Sequence, residues 1–142
     1  MNEHVRNPFR TIAILEIATA IGLILFWLAF FAVGLAPADP PVGYTQFEHS
    51  FPVPDILLAG LFLVAGRCLL GAREECRQRG RSLSLVCAGA VMFLGALDIS
   101  FNLQNGMYAI SLQDTLLALA INTWCVGFGA LLVFRCSRTC ES

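Results

Sequence analysis

Carboxylates and side-chain amides recur near one end of the apolar stretches of this chain, and such oxygens suit a hard cation or a small ligand that donates hydrogen bonds. Asp98 is the sharpest case, set in Gly95-Ala96-Leu97-Asp98-Ile99-Ser100-Phe101-Asn102. Asn102 follows four residues later and Asn105 seven later, so a continuing helix puts all three on one face. Gly95 lies one turn inward on that face and leaves space beside the carboxylate. Asp55, after Pro54, and Asp114, at the end of Ser111-Leu112-Gln113-Asp114, each open an apolar segment. Taken singly they read as helix caps, Asp55 at the positive end of a helix dipole and Asp114 in a capping box. Taken together, Asp55, Asp98 and Asp114 fall at the same ends of adjacent segments, with Glu48 and His49 on the approach to Asp55. The candidate ligand-binding set is therefore Asp98, Asn102, Asp55, Glu48, His49, Asp114 and Asn105, with Gln104 as a further amide. Asp98, Asp55 and Glu48 are the candidate ligands for Ca²⁺ or Mg²⁺, although no spacing matches a loop motif such as an EF-hand. The same groups suit the amine or hydroxyls of a small organic ligand.

Two further polar residues lie deeper. Glu16 sits in the first apolar segment, where an ionisable group is costly. It reads either as a proton or cation ligand or as a group that snorkels or pairs with an Arg such as Arg67. Asn122 lies two turns beyond Asp114 and extends the polar stripe inward, or makes an interhelical hydrogen bond. An enzyme would need an acid–base pair. Glu48 beside His49 is one dyad, at the level of a lipid head group, but neighbours on a helix point apart and a third segment would have to complete it. No nucleophile elbow, zinc-protease, P-loop or dinucleotide motif is present, and no cofactor motif is recognisable.

The elements that must position these residues are set by charge and length. The chain has 142 residues, 57% of them apolar and 13% charged, against about 25% charged in a typical soluble domain. Every basic residue other than His is an Arg, and all nine flank one side of four apolar segments: Arg6 and Arg10 before the first, Arg67, Arg73, Arg77, Arg79 and Arg81 around the second connection, Arg135 and Arg138 after the fourth. The other two connections, 36–54 and 102–113, have none. This positive-inside pattern predicts an all-α, four-helix transmembrane bundle with both termini cytoplasmic, in a plasma (inner) membrane. The Arg-rich rim has that topological cause, so nucleic acid is not an expected partner. The expected helices are roughly 11–35, 55–71, 83–103 and 112–134, forming one integral membrane domain over 1–142.

Pro37 closes the first helix, whose apolar run exceeds the 7–15 residues of a signal-peptide core. Phe26, Trp27, Phe30 and Phe31 are expected near the membrane interface, and Ala18 and Gly22 form a small-residue pair for close helix approach. In the first connection, Thr45 and Glu48 fit a capping box for a short surface helix with Phe47 and Phe51 on one face. Gly80 reads as a breaker and Asn105-Gly106 as a turn. The six Cys avoid the connections 36–54 and 102–113, which predicts free thiols and argues against a disulfide-forming oxidoreductase. Cys136 and Cys140 with Cys76 make a weak metal signal.

The reading is a small integral membrane protein with an outward-facing acidic and amide pocket for a cation or small polar ligand, serving transport, sensing or an accessory role. The alternatives are a membrane enzyme acting on a lipid or isoprenoid head group, and a structural subunit. The expected partners are the lipid bilayer, a small polar ligand, and further copies or a larger membrane complex.

Overall fold

The computed structural model describes residues 7–37 and 40–138; Cys140, and with it the Cys136–Cys140 metal reading, lies outside the described residues. All regular structure among them is helical. Helix α1 (Arg10–Ala29) continues into a π-helical turn, Phe30–Gly34; then come α2 (Tyr44–Glu48), α3 (Pro52–Leu70), α4 (Glu74–Gln104), a 3₁₀ turn at Met107–Ala109, and α5 (Leu112–Ser137). Four stretches are long and apolar enough to cross a membrane: Arg10–Gly34, Tyr44–Leu70, Glu74–Gln104 and Leu112–Ser137. Large apolar side chains face outward, among them Leu28, Val33, Leu57 and Phe93, each more than half exposed. A soluble monomer rarely shows so much apolar surface, whereas hydrocarbon solvates it at no cost. The chain thus has the build of a small membrane protein.

Close packing runs α1 to α3, α3 to α4 and α4 to α5. Helices α1 and α5 instead meet through the Trp124 indole, which donates to the Thr19 hydroxyl at 3.3 Å. The contacts rest on small residues, as lipid gives apolar side chains no reason to leave it and dispersion at short range must do the work. A Cβ on Gly66 would lie 2.9 Å from the Ala13 carbonyl oxygen of α1, and one on Gly95 would lie 2.7 Å from Cys125 Cβ of α5. Ala18 and Gly22, expected at such a contact, face outward, and nothing lies within 4 Å of a Cβ built on Gly22. Gly95 serves close approach of α5 as well as lining the space beside Asp98.

Helix α4 starts at Glu74, nine residues before the expected Leu83. The Arg- and Glu-rich stretch is its first turns: Glu74 and Glu75 favour the positive helix end, and Arg77 pairs with Glu74. Gly80 does not break this helix; a Cβ there would lie 2.8 Å from the Leu69 amide nitrogen of α3. The Arg-rich end is tied shut. The Arg77 guanidinium donates to the carbonyls of Gly71 and Ala72 at 3.3 and 3.2 Å, Arg81 to the Cys136 carbonyl at 3.1 Å, and the Asn7 amide to the Leu69 carbonyl at 3.0 Å. At the other end Ser111 caps α5 as expected, accepting from the Asp114 amide at 3.1 Å, and Gly106 turns the chain at φ +67°. The Thr45–Glu48 capping box does not form: α2 begins at Tyr44, behind Gly43 in the left-handed region, without a side-chain cap. Phe47 of α2 stacks on Phe101 of α4, ring centroids 3.9 Å apart and planes within 7°, and touches Phe51 at 4.8 Å. That contact packs α2 against α4.

Candidate functional site

Away from the Arg-rich end, a cavity of about 130 Å³ lies between the helices. All five α-helices reach it, together with the π-helical turn and the 3₁₀ turn. Helix α1 brings Trp27 and its π-helical continuation Phe30, α2 brings Tyr44 and Glu48, α3 brings Asp55 and Leu58, α4 brings Gly95, Asp98 and Asn102, the 3₁₀ turn brings Met107, and α5 brings Asp114, Ala118 and Asn122. Most of the wall is apolar or aromatic, and no Arg or His lines it.

The polar groups are arranged by helical spacing and by one contact across the bundle. Asn102 lies one turn beyond Asp98, and its amide donates to Asp98 Oδ2 at 3.0 Å. Asn122 of α5 approaches Asp98 from the other side and donates to the Tyr108 hydroxyl at 2.9 Å. Its Oδ1 is buried without a hydrogen-bond partner. Asp55 lies in the first turn of α3, as the dipole reading expects, and its carboxylate also accepts from the indole N–H of Trp27 at 2.8 Å, a buried contact between residues 28 positions apart. Trp27 is only 5% exposed, so it faces the interior and not the interface. Its ring lies edge-on to Phe30, centroids 5.2 Å apart.

Of the residues singled out from sequence, Glu48, Asp55, Asp98, Asn102, Asp114 and Asn122 line this one cavity. Two do not. Asn105 is exposed at the end of α4 and donates back to the Phe101 carbonyl at 2.9 Å, because the helix stops there and the turn carries the side chain away. His49, just past the end of α2, is exposed, lies 5.6 Å from the Phe31 ring and 6.5 Å from the Phe30 ring, and does not line the cavity. The Glu48–His49 dyad is therefore not assembled, as adjacency on a helix implies. Trp27 and Tyr108 are the partners that sequence reasoning missed. An aromatic in the outer half of an apolar helix carries no signal that separates an inward from an interfacial position.

Among the described residues, no three His, Cys, Asp or Glu side chains come together as a metal centre would require. The carboxylates of Glu48, Asp55 and Asp98 line the same cavity. Cys68, Cys76, Cys87, Cys125 and Cys136 are all free. Glu16 lies outside the cavity, in the Arg-side half. It is fully buried beside Ser84, Cys87 and Cys136, and neither carboxyl oxygen has a hydrogen-bond partner. The expected pair with Arg67 does not form, and Arg67 is exposed. Comparison with protein-family models, curated proteins and solved structures gives no match.

Proposed function

We propose that this chain is a small integral membrane protein that binds a cation or small polar ligand in the acid-lined cavity, in a transport, sensing or accessory role. One observation carries the reading: Glu48, Asp55, Asp98 and Asp114, from four different helices, line one space with no cationic side chain in its wall. Ionisable groups at membrane depth are expensive and persist where they pair or serve a ligand. Here four carboxyl groups are gathered, and none has an ion-pair partner among the described residues. The Arg distribution supports a bilayer orientation in which both termini are cytoplasmic and the cavity lies in the outer half of a plasma (inner) membrane. A lipid-head-group enzyme is less well supported, since His49 does not line the cavity that Glu48 reaches.

The test is thermal unfolding of purified protein with Ca²⁺, Mg²⁺, EDTA and a panel of small polar and cationic compounds. A ligand that binds the folded state raises the melting temperature in proportion to the logarithm of its concentration over its dissociation constant. Wild type is expected to respond to at least one compound and Asp98→Asn to lose the response. A wild type indifferent to the whole panel would leave the structural-subunit reading in its place.

A further inference from the structure

The cavity's polar groups are sorted by hydrogen-bonding sense. Three donors of its wall are bound within the protein: the Trp27 indole N–H to Asp55 at 2.8 Å, the Asn102 amide to Asp98 at 3.0 Å, and the Asn122 amide to Tyr108 at 2.9 Å; the Tyr44 hydroxyl lines the space as well. The wall is rich in acceptors. The carboxylates of Asp55 and Asp98 each have a second oxygen beyond these donors, Glu48 adds its two, Asp114 adds the one that the Ser111 hydroxyl does not bind, and the buried Oδ1 of Asn122 has no partner among the described residues. A buried acceptor without a donor is destabilising unless something supplies the missing hydrogen. An occupant that donates hydrogen bonds or carries positive charge therefore fits this wall best, and an anion fits it worst.

The rest of the wall narrows the class. Phe26, Trp27, Phe30, Tyr44 and Phe51 put five aromatic rings around the space, and Leu58, Val91, Leu94, Leu117 and Ile121 fill much of the remainder. Aromatic faces attract organic cations, most strongly where water is excluded. A strongly hydrated metal ion gains little from such walls, and no cluster of three ligating side chains forms among the described residues. The volume, about 130 Å³, is close to that of an apolar protein cavity that takes one benzene ring, about 150 Å³. Helices α1 and α5, which line the cavity through Trp27 and Ile121, are not closely packed on each other.

We propose that the cavity is a site for an apolar organic ammonium ion, a protonated amine carrying a hydrophobic body about the size of one aromatic ring. The ammonium N–H groups face Asp98, Asn122 and Asp55, and the body lies among the aromatic rings. The inference rests on reading the cavity as a ligand site and adds the chemical class of its ligand.

Three probes of one size separate the possibilities: 2-phenylethylamine, which is cationic, 2-phenylethanol, which is neutral, and phenylacetate, which is anionic. Each is titrated into the full-length protein in detergent by calorimetry, beside Ca²⁺, Mg²⁺ and glycerol. The expected result is saturable binding of 2-phenylethylamine, about ten- to a hundredfold tighter than 2-phenylethanol, the scale of one hydrogen bond to a charged group. Phenylacetate should not bind. Asp98→Asn should erase the preference for the amine. Ala118→Phe, which fills the space and keeps every charge, should block the amine too, and it decides the matter if the Asp98 variant fails to fold. Equal binding of amine and alcohol, or amine binding untouched by Ala118→Phe, would overturn the proposal. Binding of Mg²⁺, Ca²⁺ or glycerol through Asp98 with no amine binding would overturn the ligand class and leave the cation or polar-ligand reading standing. Binding of none of these probes would remove both.

Discussion

The contact between Trp27 and Asp55 holds two helices and one wall of the cavity together, and its worth can be worked out before it is measured. Trp27→Phe keeps an aromatic ring but removes the N–H that reaches Asp55 at 2.8 Å. A hydrogen bond to a charged group is worth about 1.5–3 kcal/mol, while interhelical hydrogen bonds in membranes average about 0.6 and reach about 1.7 kcal/mol. Asp55 is 9% exposed, at the low end of solvation, which pulls towards the larger range. The adjoining cavity pulls the other way. Its 130 Å³ admits water, each molecule needing about 30 Å³, and a water can replace part of the lost donor. A coupling of about 1–1.5 kcal/mol is the expected balance. The single Trp27→Phe change also loses packing against Phe30, so only a double-mutant cycle isolates the bond. Asp55→Leu supplies the other arm, as it removes the acceptor at similar size. Unfolding of the four proteins in mixed micelles, followed by circular dichroism, gives the coupling. A value under about 0.5 kcal/mol, the scatter expected of independent sites, would refute the claim that this bond matters.

Other consequences are simpler. Gly95→Ala should destabilise by about 1–3 kcal/mol, since its Cβ would meet that of Cys125 at 2.7 Å, while Gly22→Ala, in open space, should not destabilise the protein; equal effects in an unfolding titration would contradict the packing. Glu16→Gln should fold at least as well as wild type in the same titration, because an ionised carboxylate there has no compensating partner; a loss of more than about 1 kcal/mol would show that Glu16 has one. Ser111→Ala should cost about 1 kcal/mol by exposing the Asp114 amide at the start of α5, without changing ligand binding.

Much of this arrangement can be read from the residues. The four spans follow from length and apolar content. The pairing of Asp98 with Asn102 follows from the helical repeat, and the Ser111 cap and the Asn105-Gly106 turn from local chemistry. Rotation about each helix axis is where the reading stops. A helix that is apolar on every side, as α1 is, gives no sequence signal for which stripe faces its neighbours. Trp27 is placed inward by a carboxylate 28 residues further on, and Glu16 is enclosed by α4 and α5 instead of reaching Arg67. The same difficulty put Gly22 at a contact that Gly66 and Gly95 make instead. His49 shows the converse: its neighbour Glu48 reaches the cavity, so a helix of five residues cannot bring His49 there as well.

The chain has two Trp residues, and Trp27 lines the cavity while Trp124 lies near mid-helix in α5, 45% exposed. Trp124→Phe therefore leaves a single fluorophore inside the candidate site. Titrating that variant with 2-phenylethylamine should change Trp27 emission saturably, and the change should vanish when Asp98→Asn is added. Binding detected by calorimetry with Trp27 emission unaltered, or an emission change that survives Asp98→Asn, would place the ligand elsewhere and contradict the account.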